Sequence, residues 1–117
     1  MLAQTKPRTY SREEYFALEE KSEIKHEYHN GEIVPMTGGT TNHNRIAINL
    51  VTSLKFALRG QKISFFTSDV RLGFPAHRRY TYPDLQIICG DIAYHDRRKD
   101  TVTNPAVIVE VVRDVRV

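Results

Sequence analysis

A chain of 117 residues, 40% hydrophobic and 26% charged, has the composition of one globular domain and is long enough to bury roughly two-thirds of its unfolded surface. No apolar run approaches the roughly 18 residues that span a bilayer, residues 1–10 lack a signal-peptide stretch, and Cys89 is the only cysteine. These features argue against a membrane protein, exclude an intrachain disulfide and a four-cysteine zinc site, and point to a reducing, cytoplasmic setting. The 17 lysines and arginines against 14 acidic residues leave +3, a sign that suits a nucleic-acid partner and equally suits an ordinary surface.

No internal repeat, low-complexity tract or linker interrupts the chain, so residues 1–117 read as a single domain. The first predicted element is a helix over residues 11–20. Ser11 caps it, Glu14 completes a capping box, and Tyr15, Phe16 and Leu18 form a short apolar face. A hairpin follows, with His26-Glu27-Tyr28 entering and Ile33-Val34-Pro35-Met36 leaving around Asn30-Gly31, the strongest short hairpin signal. After Gly38-Gly39, a second helix is predicted from about residue 42 to residue 59, stopped by Gly60. Its Ile46, Leu50, Leu54 and Leu58 recur every four residues, beside Ala47, Val51 and Ala57, and this wide stripe reads as core.

Strand signals then follow over residues 63–74, as one strand or a bent pair, over 82–89 and over 106–112. The last is a nearly unbroken β-branched run, the pattern of a strand covered on both faces. Residues 90–105 between the last two strands are polar and read as a loop. The whole predicts a mixed α/β or α+β arrangement with a central sheet flanked by helices.

The sharpest feature is Glu110, a carboxylate within Ala106-Val107-Ile108-Val109-Glu110-Val111-Val112. A charge in a buried-looking strand is costly unless it is paired or bound to a metal. The bland alternative is a frayed strand end or an arginine partner. Pro83-Asp84 opens the preceding strand, where proline is tolerated. Alone that dipeptide says little, since it is common in turns. Together, Asp84 and Glu110 lie on successive predicted strands and are candidates to share a hard divalent cation, which takes one or two carboxylates plus water and substrate phosphate.

Pro83-Asp84 followed by Glu110 in an apolar strand opening at Asn104-Pro105 resembles the PD-(D/E)XK nuclease superfamily, and more narrowly the Uma-type restriction-endonuclease family. Three further stretches carry the resemblance: Tyr10-Ser11-x-Glu13-Glu14-Tyr15, Glu27-x-x-x-Gly31-Glu32-Ile33-x-x-Met36, and Asn42-His43-Asn44-Arg45-Ile46. Each is degenerate, but their order covers nearly the whole chain. The resemblance implies a restriction-endonuclease-like core that hydrolyses phosphodiester bonds, DNA above RNA, with Mg²⁺ or Mn²⁺. It makes Asp84 and Glu110 metal ligands and catalytic residues, and the Val111 carbonyl a further ligand. It makes Glu27 an acidic residue facing the same site, through water or as an orienting group; a surface residue of the hairpin is the bland reading of Glu27. His43 either approaches the phosphate or caps its helix, and a cap needs no catalytic explanation.

Arg78-Arg79 and Arg97-Arg98-Lys99 are basic patches in predicted loops, able to touch phosphates without reading sequence, or simply solvated. His26 and His29, without cysteine partners, make a poor zinc site.

The motif departs from the superfamily at one place. The lysine expected two residues after Glu110 is Val112, and the serine-proline turn and helix that carry a displaced lysine in the Uma-type branch are not found. Arg113 can supply charge there but does not readily lose a proton. The chain therefore reads as a shortened family member that pairs with a second copy to cover its apolar strand. The competing reading is a catalytically inactive remnant that keeps the fold as a binding or structural module. A small-molecule-binding domain finds no support in the sequence.

Overall fold

A computed structural model describes residues 8–112. Arg113, the candidate substitute for the motif lysine, lies outside the described residues. Helix α1 spans Arg12–Lys21 and carries the expected capping box: Ser11 Oγ accepts from the Glu14 amide at 3.1 Å, and Glu14 Oε1 accepts from the Ser11 amide at 2.9 Å. Strands β1 (His26–His29) and β2 (Glu32–Pro35) form the expected hairpin, with Asn30 and Gly31 both at positive φ.

Helix α2 runs Thr41–Ala57. Strands β3 (Ile63–Thr67) and β4 (Arg71–Phe74) are the bent pair over residues 63–74, and the bend sends them to different sheets. Strand β6 (Leu85–Cys89) is the later part of the strand predicted over 82–89, and a strand not predicted, β5 (Arg79–Thr81), precedes it. Strands β7 (Tyr94–His95), β8 (Arg98–Val102) and β9 (Val107–Val109) complete the described order.

Two sheets result. A six-stranded mixed sheet has the order β2-β1-β5-β4-β8-β7, antiparallel throughout except for the parallel β4–β8 pair. A three-stranded antiparallel sheet has the order β3-β6-β9. The chain crosses between them at Tyr82-Pro83-Asp84, directly between β5 and β6.

The core lies between α1 and the six-stranded sheet. Tyr15 and Phe16 of α1 meet Tyr28 of β1 and Tyr80 of β5, all four buried. The Tyr15 ring stacks on Tyr28 at 5.2 Å and on Tyr80 at 5.6 Å, within the range of favourable aromatic pairs. Buried among them is a cation that nothing in the sequence singled out. Arg71 lies 4.9 Å from the Phe16 ring centroid and donates to Tyr82 Oη and Thr101 Oγ1, both at 3.0 Å. Those partners and ring faces make its burial tolerable.

Four expectations change. The apolar stripe of α2 is not core: no α2 residue is fully buried, and Ile46, Ile48 and Phe56 are more than half exposed. The helix rests only a half-buried edge on its neighbours. It also ends two residues earlier than expected, with Leu58 as its C-cap and Gly60 at φ +84° in the following turn. The polar stretch 90–105 is not all loop but contains the β7–β8 hairpin, whose turn residues Asp96 and Arg97 take positive φ without an Asn-Gly signal. Residues 106–112 are not a strand covered on both faces: β9 is three residues long, pairs only with β6 among the described residues, and leaves Val107 and Ile108 exposed. Among the described residues, no helix is long and apolar enough to cross a membrane.

Candidate functional site

Backbone register brings the two key carboxylates together. Strand β6 pairs with β9 so that Leu85 faces Val109. Asp84 and Glu110 each stand one residue beyond that pair, opposite each other at the end of the ladder. Asp84 Oδ2 accepts from the Val111 amide at 2.7 Å, which closes the ladder with a side chain in place of a carbonyl. Glu110 is therefore not inside the strand, as the apolar run suggested, but just past its end, on an exposed residue.

The third acidic residue arrives from the other sheet. Glu27 sits on β1, which pairs with β5 through Tyr28 and Tyr80, so Glu27 lies beside Thr81. Its Oε2 accepts from Thr81 Oγ1, and His29 Nε2 approaches Oε1 at 3.4 Å. From Thr81 the chain needs only Tyr82 and Pro83 to reach Asp84. The seam between the sheets thus gathers Glu27, Asp84 and Glu110.

Partial desolvation, followed by the charges of Asp84 and Glu27, raises the Glu110 carboxyl above the usual carboxylate range. Solvent at this exposed residue screens the effect. The sign has a consequence for stability. A carboxyl whose folded pKa is raised favours the fold when protonated, so its contribution is fully present below the unfolded pKa and is lost as pH rises through the folded value. Glu110→Gln removes the repulsion permanently. The variant is expected to melt above the parent at about pH 8 and to converge with it near pH 4, as followed by thermal unfolding monitored by circular dichroism.

His43 is the residue whose role changes. Thr40, not His43, is the N-cap of α2, and its Oγ1 accepts from the His43 amide at 3.2 Å. The His43 ring is instead turned to the site, with Nε2 3.1 Å from Asp84 Oδ2 and both side chains about nine-tenths buried. A carboxylate only accepts, so Nε2 carries the proton. Gly39 makes this possible, because a Cβ there would lie 2.8 Å from His43 Nδ1. Asp84 Oδ2 is thus held by two donors from distant parts of the chain.

The basic patches do not join this constellation. Arg78 donates to Tyr28 Oη at 2.8 Å. Arg98 lies over the Phe16 ring and pairs with Glu20 at 3.3 Å. Arg79, Arg97 and Lys99 are exposed, and none of the five lines the cavity beside Asp84. His26 is structural, its Nδ1 2.7 Å from the buried Glu19 carboxylate.

A family model described as "Putative restriction endonuclease" (Uma2) matches residues 12–114. The chain belongs to this family. Two relatives from Synechocystis sp. are similar to it. The uncharacterized protein sll1609 is 37% identical over 98 residues, covering 84% of this chain and 55% of its own length. The uncharacterized protein slr1290 is 35% identical over 102 residues, covering 86% and 52%. The chain therefore spans about half the length of the curated relatives it matches. No solved structure matches it. Among the described residues, the two α-helices, the six-stranded mixed sheet and the three-stranded antiparallel sheet agree with a restriction-endonuclease-like α+β architecture.

Among the described residues, no three His, Cys, Asp or Glu side chains are arranged to enclose a metal ion. A hard divalent cation does not need three: one or two carboxylates plus water and substrate phosphate suffice. Asp84 and Glu110, facing one another at the end of the β6–β9 ladder, fit that donor set. The Val111 amide points to Asp84, while the lysine position of the Uma-type motif, Val112, is 90% exposed and apolar.

Proposed function

We propose that this chain carries the metal-binding site of an endonuclease that hydrolyses nucleic-acid phosphodiester bonds, DNA above RNA, in the cytoplasm. The observation that supports this best is the placement of Asp84 and Glu110 opposite each other at one strand-pair end, with Glu27 brought to the same seam. Asp84 and Glu110 would hold Mg²⁺ or Mn²⁺, with the Val111 carbonyl as an additional oxygen donor. When bound, such an ion activates water and stabilises charge on the phosphodiester.

The chain's own residues do the positioning. His43 and the Val111 amide fix the Asp84 carboxylate. Thr81 and His29 orient Glu27 toward the seam, where its role is that of an outer acidic group acting through water. His43→Ala is expected to lower divalent-ion affinity and cleavage about 10- to 100-fold, the usual effect of removing a group that orients a ligand. Helix α2 keeps its Thr40 cap in that variant, so circular dichroism is expected to match the parent.

The test is plasmid cleavage with Mg²⁺ and Mn²⁺, alongside calorimetric titration of Mn²⁺. Metal-dependent cutting supports the enzyme. Mn²⁺ binding without cutting supports the second reading, a binding module of nuclease fold, which the exposed Val112 at the lysine position favours. A folded protein that neither binds Mn²⁺ nor cuts sinks the metal site. The exposed apolar residues of α2 and β9 are in keeping with a homodimer, which sedimentation at micromolar concentration checks.

A further inference from the structure

A cavity of about 330 Å³ opens beside Asp84. Its walls come from the chain entering β1, the Gly38-Gly39 turn, the first turn of α2, the β3–β4 turn and the β5–β6 crossing. Two of its wall residues, Asp84 and His43, belong to the constellation above. Glu23 adds a second carboxylate. Among the described residues, the cavity's single permanent cation is Lys25.

Several observations set Lys25 apart from the other basic residues. Its backbone is fixed, since its carbonyl accepts from the Met36 amide at 2.9 Å where the hairpin closes. Its ammonium lies 5.7 Å from the ring centroid of Tyr82, a buried residue two positions before Asp84. Its ion-pair partner is Asp69 at 2.9 Å, and that carboxylate is 87% exposed. An exposed pair of this kind contributes about 0–1 kcal/mol and is readily exchanged for another anion. The arginine and lysine clusters of the turns do not line this cavity, and Val112 offers no charge.

We propose that Lys25 is the phosphate-contacting cation of this site, its ammonium leaving Asp69 to bind a phosphodiester oxygen of a nucleic-acid strand laid across the cavity. The assignment rests on the nucleic-acid reading above, but not on catalysis. Lys25 brings a positive charge to this cavity from the front of the chain, whereas Val112 carries none. An ammonium is well suited to it, as a compact charge on a flexible stem that reaches a single phosphate oxygen.

The experiment is binding of a fluorescein-labelled short DNA duplex by anisotropy in Ca²⁺, over a series of salt concentrations, with parent, Lys25→Gln, Lys25→Arg and the exposed-pair control Lys62→Gln. Lys25→Gln is expected to weaken binding about fivefold or more and to reduce the magnitude of the salt slope by about one, as loss of one phosphate contact does. Lys25→Arg is expected to restore both, and Lys62→Gln to leave both unchanged. Equal affinity and slope in parent and Lys25→Gln overturn the assignment, as does a parent that binds no duplex. Plasmid cleavage separates the two readings. A parent that cuts while Lys25→Gln binds and cuts equally well leaves the nuclease and removes Lys25. A parent that cannot cut, yet loses slope with Lys25→Gln, removes the nuclease and leaves the phosphate site.

Discussion

Asp84→Ala is expected to reduce divalent-ion-dependent plasmid cleavage by more than about 100-fold, beyond the effect of losing an orienting neighbour. Asp84 is the point at which every part of the constellation meets. It accepts from His43 of α2, accepts from the Val111 amide beyond β9, and faces Glu110 across the ladder. Removing its carboxylate leaves Glu110 without a facing ligand and frees the His43 ring. The same variant is expected to lose Mn²⁺ binding in calorimetry. Its melting temperature should fall modestly, since the Val111 amide loses one hydrogen bond of about 1 kcal/mol. Asp84→Asn separates the two effects: it keeps an acceptor for Val111 and removes the charge, so stability should recover while Mn²⁺ binding and cleavage do not. Unchanged Mn²⁺ affinity in either variant would falsify the placement of the metal at Asp84.

Tyr80→Ala is expected to have the largest effect on the fold. Tyr80 is fully buried at the centre of the aromatic cluster, against Tyr15, Phe16, Tyr28 and His95, and its hydroxyl lies 3.0 Å from His95 Nε2. Truncating a buried aromatic costs about 3–5 kcal/mol. At about 4–8 °C per kcal/mol for a domain near this size, the melting temperature should drop by roughly 12–40 °C, or the variant should fail to fold at room temperature. Tyr80→Phe keeps the ring contacts and loses only the hydroxyl, and is expected to cost about 1 kcal/mol. Chemical denaturation measures both. Similar midpoints for the Ala and Phe variants would show that the ring stack is not what holds α1 to the sheet. Because β5 leads straight to Asp84, a Tyr80→Ala protein that does fold should also show weaker Mn²⁺ binding.

The family resemblance, the capping box of α1, the Asn30-Gly31 hairpin and the candidate pair Asp84 and Glu110 were all legible in the chain. Each rests on local chemistry or on an ordered set of short motifs, which sequence carries directly. The capping reading of His43 is corrected, because a histidine early in a helix looks like part of a cap. Only the fold shows Thr40 in that role and the imidazole turned to a carboxylate 41 residues away. The stripe of α2 misled for a related reason. Periodicity reports which face is apolar, and not whether anything covers it.

What the sequence determined by itself is therefore the set of parts: a capped helix, a tight hairpin, apolar strands and two acidic residues associated with them. The tertiary structure decided how they meet. The β6–β9 register sets Asp84 opposite Glu110, the crossing at Tyr82-Pro83 carries Glu27 of one sheet to the carboxylates of the other, and the cavity turns Lys25 into a neighbour of Asp84. Buried Arg71 belongs to the same class, since ring faces, two hydroxyls and the Asp100 carboxylate at 3.7 Å make a core position tolerable for a guanidinium. The physical reason is common to all of them. Strand pairing and burial join residues far apart in the chain, and no local pattern records which distant partner a residue will find.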